Sequence, residues 1–275
     1  MGRWLSLDPK AMQFPAWSDY AGSADNPIFY IDVNGEEAKP HPAKFSGEIQ
    51  NIYSKMNAIP SIKSTLDGLS QYFAGGTYAS SMTSSPKPLL IMYAKPHPSS
   101  NQTAYGLTYE YVTGENASYY GVVDNTGIIV INANAYNNKP LGKNEVLLVG
   151  TIVHEHIHAY LHSEIREILS KPSDALSERD KIKLDWYNKA KTDKSLDWSH
   201  EYMAEYGRDL IAKAMKEYDQ SKYTAEELKK MGRNDQYYDD MAWSGLYDTA
   251  AYKNLPKRDR VRIMRRLQYK SKAIN

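Results

Sequence analysis

The chain has 275 residues and a formal net charge of +1, with 41% hydrophobic and 24% charged residues. These values are typical of a folded globular protein, and the near-zero net charge does not favour a nucleic-acid or membrane-surface partner. The sequence contains no cysteine, which excludes disulfide bonds and thiolate metal ligands and leaves His, Asp and Glu as the strong ligands. No apolar run approaches the ~18 residues of a membrane-spanning helix, so no membrane span is predicted.

The N-terminal 35 residues are rich in turn-forming pairs and poor in apolar residues. Asp8-Pro9 and Asn26-Pro27 favour turns, so we expect this segment to need a partner surface in order to become ordered. Residues 36–45 contain Pro40 and Pro42, which interrupt any helix, and are predicted to form a linker.

The next part of the chain changes from helical to strand patterns. Apolar spacing within residues 46–73 predicts two helices that are separated by Pro60. Residues 88–94 form a strongly apolar run, and residues 105–113 alternate between apolar and polar side chains. Both patterns predict β-strands.

A turn signal follows at Asp124-Asn125-Thr126-Gly127. It predicts a hairpin between residues 117–123 and 127–134. The second of these strands directly precedes the helix described next. It is interpreted as an ordinary strand of the sheet, as a strand that lies along a cleft and pairs with the backbone of a substrate, or as both.

Residues 151–160 carry His154-Glu155-x-x-His158 within an apolar helical pattern that Asn144 is predicted to cap. Residues four apart lie on one face of a helix, so His154 and His158 can direct both imidazoles at one Zn²⁺ ion. Glu155 can reach a water molecule on that metal and act as the general base. This arrangement is typical of zinc metallopeptidases.

A catalytic zinc ion has three protein ligands and one open position, so a third ligand is required. His162 continues the spacing of four, but it lies ~12 Å along the helix from His154 and is predicted to be a surface or outer residue. His200 is the favoured third ligand. Glu201 and Glu205 remain alternatives, as the third ligand or as a carboxylate that orients a ligand histidine.

The remainder of the chain is predicted to be helical. Apolar spacing indicates helices at residues 174–190, 198–219, 224–231 and 255–272, and the many cations of the last are interpreted as a solvated face. The predicted fold class is α+β. A small sheet that includes antiparallel strands packs on the H-E-x-x-H helix, and further helices follow towards the C-terminus.

Three segments together resemble the SprT-like metallopeptidases, in the version that is appended to Rhs proteins. The resemblance implies a zincin-like fold, peptide-bond hydrolysis, a Zn²⁺ cofactor and His154, His158 and His200 as ligands. The segments are Thr151-Ile152-x-His154-Glu155-x-x-His158-Ala159, His200-Glu201-Tyr202-Met203-Ala204 and Ala242-Trp243-Ser244-Gly245-Leu246.

The N-terminal segment is similar to the end of the Rhs (YD-repeat) core. The matching residues are Gly2-Arg3-Trp4-Leu5-Ser6-Leu7-Asp8-Pro9, Tyr20, Asn26-Pro27-Ile28 and Ile31-Asp32-x-Asn34-Gly35. The resemblance implies that residues 1–35 end the core, that 36–45 form a linker and that 46–275 form a toxin domain. Val33 and Glu36 stand where the family pattern has Pro and Leu, which weakens the inference that this chain cleaves itself there.

The resemblance also implies a location and partners. Such a protein is made in the cytoplasm of a producer cell, secreted and delivered into a target cell, where it cleaves a protein substrate. Its other expected partners are a cognate immunity protein, the rest of the Rhs shell and a delivery apparatus. The alternative functions are a SprT-like DNA-associated protease and a non-catalytic module that binds zinc or protein.

Overall fold

The structure is a computed structural model that describes most of the chain from residue 48 onward. The described ranges are 39–40, 48–70, 90–94, 104–112, 126–132, 144–193 and 195–272, with a few isolated positions between them. The predicted junction segment 1–35 lies outside the described residues. Within the predicted linker 36–45, residues Lys39–Pro40 form a short strand that pairs with a later one.

The described chain is mostly helical and contains one small sheet. The strands are β1 (Lys39–Pro40), β2 (Leu90–Ala94), β3 (Gly106–Val112) and β4 (Thr126–Asn132). The first helices are α1 (Glu48–Asn57), α2 (Pro60–Ser70) and α3 (Glu145–Ser170). They are followed by α4 (Glu178–Thr192), α5 (Trp198–Tyr202), a π-helical turn (Met203–Gly207), α6 (Arg208–Gln220), α7 (Ala225–Lys230), α8 (Asp235–Met241), α9 (Ala250–Lys253) and α10 (Lys257–Lys272).

Several local predictions are confirmed. The region around Pro60 forms two helices, and Pro60 is the first residue of α2, where its missing N–H costs no helical hydrogen bond. The strands predicted at 88–94, 105–113 and 127–134 correspond to β2, β3 and β4. Of residues 117–123, the predicted partner in the hairpin, only Tyr119 is described, and it is helical, so the predicted strand is wrong at that position. The other residues of that range lie outside the described part of the chain.

The four described strands form a sheet in the order β1-β2-β4-β3. Strands β1, β2 and β4 pair in parallel, whereas β3 pairs antiparallel with β4. Residues Ile128 to Ile131 of β4 are fully buried. The prediction that this strand borders a cleft and pairs with substrate is therefore wrong, because both of its edges are already hydrogen-bonded to neighbours. In the described sheet, β3 is the edge strand on that side.

Helix α3 lies at the centre of the molecule. It contacts the sheet through β3 and β4, and it also contacts α1, α2, α4, α5 and α6. Every residue from Val146 to Ala159 is buried, which is the pattern of a helix enclosed on all sides. Asn144 stands at its N-cap position without making a side-chain capping bond. The H-E-x-x-H motif is thus held within the hydrophobic core.

Helices towards the C-terminus pack on α3 and on one another. Helix α6 packs on α3 through Ile211 and Met215, and α8 packs on α6. On α10, Arg262 and Arg266 contact the carboxylate of Asp240, which is 1% exposed. The prediction that the cations of this helix form a solvated face is therefore wrong for these two arginines, because they neutralise a buried charge.

Candidate metal centre

Three histidine side chains converge where α5 meets the middle of α3. His154 and His158 come from one face of α3, and His200 comes from α5. The Nε2 atom of His158 lies 3.0 Å from those of His154 and His200, and the latter two are 3.3 Å apart. The structure therefore brings together the three histidines that the sequence predicts.

The geometry of this group fits a metal ion. Zinc–nitrogen bonds of about 2.0–2.1 Å at tetrahedral angles place ligand nitrogens roughly 3.3 Å apart, close to the separations between these Nε2 atoms. No other group of three such side chains that could hold a metal ion occurs among the described residues. The His154, His158 and His200 group can hold a metal ion, with three nitrogen donors.

The environment keeps the two α3 histidines in the form that binds metals. Burial lowers the pKa of His154 to about 3, and the neighbouring His200 contributes in the same direction. Burial likewise holds the pKa of His158 well below its usual value. Both imidazoles are therefore neutral near pH 7, and neutral imidazole is the form that binds a metal ion.

Glu155 is buried beside the histidines and faces strand β3. The hydroxyl of Thr108 lies 2.8 Å from Oε2 of Glu155, so it can donate a hydrogen bond to the carboxylate. A Cβ atom at Gly106 would lie 2.6 Å from Cγ and Oε1 of Glu155, so only glycine allows the strand to approach this closely. Burial raises the pKa of Glu155 to about 8, against the opposing hydrogen bond from Thr108. A divalent cation nearby would stabilise the ionised form.

The carboxylate of Asp197 contacts the Nδ1 side of the His200 ring. Its Oδ2 atom lies 3.3 Å from Nδ1 of His200, on the side of the ring away from the other histidines. Its Oδ1 atom caps α5 by accepting hydrogen bonds from the N–H groups of Ser199 and His200 at 3.0 and 3.2 Å. Burial would raise the pKa of Asp197, but His200 and the hydrogen bonds from Ser199 hold it below its usual value. The carboxylate of Asp197 thus caps the start of α5 and also contacts the histidine that this helix carries.

The two alternative carboxylates lie elsewhere. The oxygens of Glu201 accept hydrogen bonds from the backbone N–H of Ala250 at 2.9 and 3.0 Å, which fixes the start of α9. Glu205 is exposed in the π-helical turn. Neither belongs to the group of possible ligands.

His162 and Trp198 form an aromatic layer beside the metal ligands. The ring of His162 stacks on His158 at a centroid distance of 6.2 Å and meets the edge of Trp198 at 5.8 Å. His162 is therefore an outer contact of a ligand, as its distance along the helix predicts. Trp198 is buried and also packs on Tyr187, which fixes α5 against α4.

Gly245 packs against the ring of His154. It has a φ of +84°, and a Cβ atom there would lie 3.0 Å from Cε1 of His154. The sequence places this glycine in the Ala242–Leu246 segment but gives no reason for it. The structure supplies one, because only glycine combines this backbone conformation with close packing on a ligand ring. Gly106 and Thr108 were not predicted as site residues, because no motif in the sequence includes them.

The site opens into a cleft with a volume of about 880 Å³. The cleft is bordered by β3, by one face of α3 and by the segments around His200 and Gly245. Its size lies within the range of sites that bind ligands. His154, His158, His200 and Glu155 all border this cleft.

Two general findings complete the description of the site. Within the described residues, no helix combines the length and the apolar character required to cross a bilayer. Comparison of the chain with protein-family models, with curated proteins and with solved structures gave no match. Conclusions about function therefore rest on the site itself and on the sequence patterns.

Proposed function

We propose that this chain is a zinc-dependent endopeptidase that acts as the toxic C-terminal domain of a secreted Rhs-type effector. One observation carries the enzymatic part: three imidazole nitrogens lie within 3.3 Å of one another beside the buried carboxylate of Glu155. In catalytic zinc sites, three protein ligands leave one position for water or substrate. A carboxylate that is adjacent to the ligands, but is not one of them, suits the role of general base.

The proposed mechanism assigns a task to each side chain. A bound zinc ion supplies Lewis acidity and lowers the pKa of water towards neutrality. The Nε2 atoms of His154, His158 and His200 would hold it. Glu155 takes a proton from the attacking water at its carboxylate and delivers a proton to the departing amine. The hydroxyl of Thr108 holds that carboxylate in place through the contact of 2.8 Å.

The edge of β3 is a suitable place for the substrate backbone. No described strand pairs with the outer edge of β3, and its residues Gly106 to Thr108 border the cleft. An extended peptide can add to such an edge through backbone hydrogen bonds. The glycine at position 106 brings this edge within reach of Glu155. The substrate would then cross the site in an extended conformation.

The toxin part of the proposal is supported by the resemblance of residues 2–35 to the end of an Rhs core. A toxin of that kind is delivered into a target cell, and the producer cell protects itself with a cognate immunity protein. The cleft offers such a protein a direct way to inhibit the enzyme, because any segment that occupies it would exclude substrate.

The two alternative functions have less support. A DNA-associated protease needs free cations, and the most basic described helix offers only part of its charge, because Arg262 and Arg266 contact Asp240. A non-catalytic zinc module has no need for a buried carboxylate between the ligands and an open cleft, since burial of a carboxylate is costly. The position of Glu155 therefore favours a hydrolase.

Expression in bacteria tests this proposal. The wild-type chain and the Glu155→Gln variant would be expressed separately in the cytoplasm, with Glu205→Gln as a control that changes an exposed carboxylate outside the cleft. We expect the wild type and the control to stop growth and to produce new protein N-termini, as detected by mass spectrometry. The Glu155→Gln variant should do neither.

Equal toxicity of the Glu155→Gln variant would contradict the proposed mechanism. Growth arrest without any new protein N-termini would contradict peptidase activity, even if the variant were harmless. Purified proteins of both kinds, compared for zinc content, would show that the substitution leaves the metal site intact.

A further inference from the structure

Helix α5 carries two neighbouring side chains that contact different parts of the molecule. His200 belongs to the three clustered histidines. The carboxylate of Glu201, the next residue, accepts hydrogen bonds from the backbone N–H of Ala250, with 2.9 and 3.0 Å between the nitrogen and its two oxygens. Successive residues differ by about 100° around a helix axis, so one helix can make both contacts. Helix α5 therefore connects the histidine cluster with the start of α9.

Glu201 is a buried carboxylate whose hydrogen-bond donor is a backbone group. It is 6% exposed. Two other buried carboxylates, those of Asp219 and Asp240, contact arginines that neutralise their charge. Burial of a carboxylate costs free energy, which the N–H group that contacts Glu201 offsets only in part. Glu201 therefore contributes chiefly to the placement of α9, and less to net stability.

Residues 243–250, called the Gly245 loop below, form a series of hydrogen-bonded turns. The N–H of Thr249 donates to the carbonyl of Leu246 at 3.3 Å, and the hydroxyl of Thr249 donates to the same oxygen at 2.7 Å. The N–H of Leu246 in turn donates to the carbonyl of Trp243 at 2.9 Å. Leu246 and Thr249 are both buried. A shift of Ala250 would therefore move the whole loop.

The Gly245 loop is attached to neighbouring helices at both ends. At its start, the guanidinium carbon of Arg208, the first residue of α6, lies 4.5 Å from the ring centroid of Trp243. The same ring contacts Tyr252 of α9 at a centroid distance of 5.4 Å. At its end, the loop is held by Glu201. Of these attachments, only that of Glu201 involves the helix that carries His200.

The Gly245 loop also touches one of the clustered histidines. A Cβ atom at Gly245 would lie 3.0 Å from Cε1 and 3.5 Å from Nε2 of His154, so the backbone packs directly on this ring. An inward shift of the loop would press on the ring, and an outward shift would leave it free to rotate. Contacts therefore connect α5 with His154 by way of Glu201 and the loop.

We propose that Glu201 is a positioning residue of the metal centre: by holding Ala250 against α5, it keeps Gly245 packed on the ring of His154. This inference rests on the metal-binding part of the proposed function and does not require peptide cleavage. Glu201→Ala releases the loop and should lower zinc affinity by roughly 2–30-fold. Glu201→Gln retains an oxygen that can accept the N–H of Ala250, so its zinc affinity should stay within about 2-fold of the wild type.

A double-mutant cycle tests whether Glu201 acts through Gly245. Gly245→Ala crowds the ring of His154 only while the loop is held in place. Its effect on zinc affinity, measured by chelator competition, should therefore be at least about 2-fold smaller in Glu201→Ala than in the wild type. Gly232→Ala is the matched control, since a Cβ atom there meets nothing within 4 Å, and its effect should be equal in both backgrounds.

Nuclear magnetic resonance of the metal-free full chain measures the contact itself. Hε1 of His154 and the Cα hydrogens of Gly245 should give a nuclear Overhauser effect in the wild type and in Glu201→Gln, but not in Glu201→Ala. Asp219→Asn changes a buried carboxylate that contacts Arg233 outside the Gly245 loop. This control should lower the melting temperature and leave both the Overhauser effect and the zinc affinity intact.

The outcomes separate this inference from the proposed function. Additive effects of Glu201→Ala and Gly245→Ala on zinc affinity, or an unchanged Overhauser effect in Glu201→Ala, would overturn the role of Glu201 even if the protein cleaves peptides. Zinc affinity in Glu201→Gln as low as in Glu201→Ala would also overturn it, because the hydrogen bond would then not be the cause. Coupled effects in a protein that binds zinc but cleaves no peptide would support the role and refute the peptidase.

Discussion

The two parts of the protein that supply the three clustered histidines are held in place very differently. Helix α3 carries His154 and His158 within 14 consecutive buried residues, from Val146 to Ala159. Helix α5 has 5 residues, and its ligand His200 has a side chain that is 27% exposed. The first two ligands are positioned by the core, whereas the third depends on a few specific contacts.

This difference indicates which part of the site tolerates single substitutions and which part does not. Packing around α3 fixes the helix that carries these two histidines, so their positions depend less on any single contact than the position of His200 does. For His200, the carboxylate of Asp197 and the packing of Trp198 take over that role. We therefore expect single substitutions near α5 to affect the metal centre without unfolding the protein.

The largest effect is expected from Glu155→Gln, a change on the rigid side of the site. Loss of the general base should reduce peptide cleavage by about 10²–10⁴-fold. Zinc content should not change, because Glu155 is not among the possible ligands. Turnover of a peptide substrate and the zinc content of the same sample provide the measurement. Turnover close to that of the wild type would show that another group is the base.

A smaller effect is expected on the side of α5, from Asp197. Asp197→Ala should lower zinc affinity by about 10–100-fold, as is typical when the partner of a ligand histidine is lost. Asp197→Asn retains an oxygen that can cap α5 but loses the negative charge, so its affinity should lie between those of the alanine variant and the wild type. Competition with a chelator would measure this. Identical affinities in all three proteins would remove Asp197 from the metal site.

Gly245 allows a finer comparison, because Gly232 has a similar backbone conformation. Their φ angles are +84° and +67°, but a Cβ atom would approach His154 only at position 245. An alanine at either position should cost about 1–2 kcal/mol of stability through backbone strain. Only Gly245→Ala should also weaken zinc binding. Thermal unfolding and chelator competition distinguish the two effects, and equal zinc affinity of both variants would contradict the proposed contact.

A further comparison concerns the pH dependence of the metal-free protein. Burial raises the pKa of Glu155 from its usual value of 4.5 to about 8, so between these values the folded state holds a proton that the unfolded state has lost. The slope of unfolding free energy against pH is then negative for this group. Metal-free wild type should therefore lose stability relative to Glu155→Gln as the pH rises from 4.5 to 8. A constant difference in melting temperature would contradict this.

The sequence predicts α3 and the position of its two histidines well because their signals are local. A spacing of four residues puts His154 and His158 on one face wherever the helix lies, and the surrounding apolar residues indicate burial. His200 could be proposed only as one of three candidates, because its distance from the pair is set by tertiary packing. Thr108 was not predicted, since nothing in a strand sequence shows which helix will face it.

The sheet also shows that local sequence patterns do not predict tertiary contacts. The individual strands β2, β3 and β4 follow from apolar runs and alternation, but their order does not. The expectation that residues 127–134 border the cleft relied on their position in the sequence, directly before α3. In the structure, β4 is interior and β3 is the edge beside Glu155. Pairing between strands that are distant in sequence depends on tertiary contacts, which local sequence patterns do not predict.

X-ray absorption spectroscopy of the zinc-loaded protein tests the central claim most directly, that three imidazoles bind one metal ion. The wild type should hold about one zinc ion per chain with three imidazole nitrogens and one further light atom as ligands. His200→Ala should lose one imidazole from that shell and bind zinc more weakly. A wild type that binds no zinc, or an unchanged zinc environment in His200→Ala, would contradict the account.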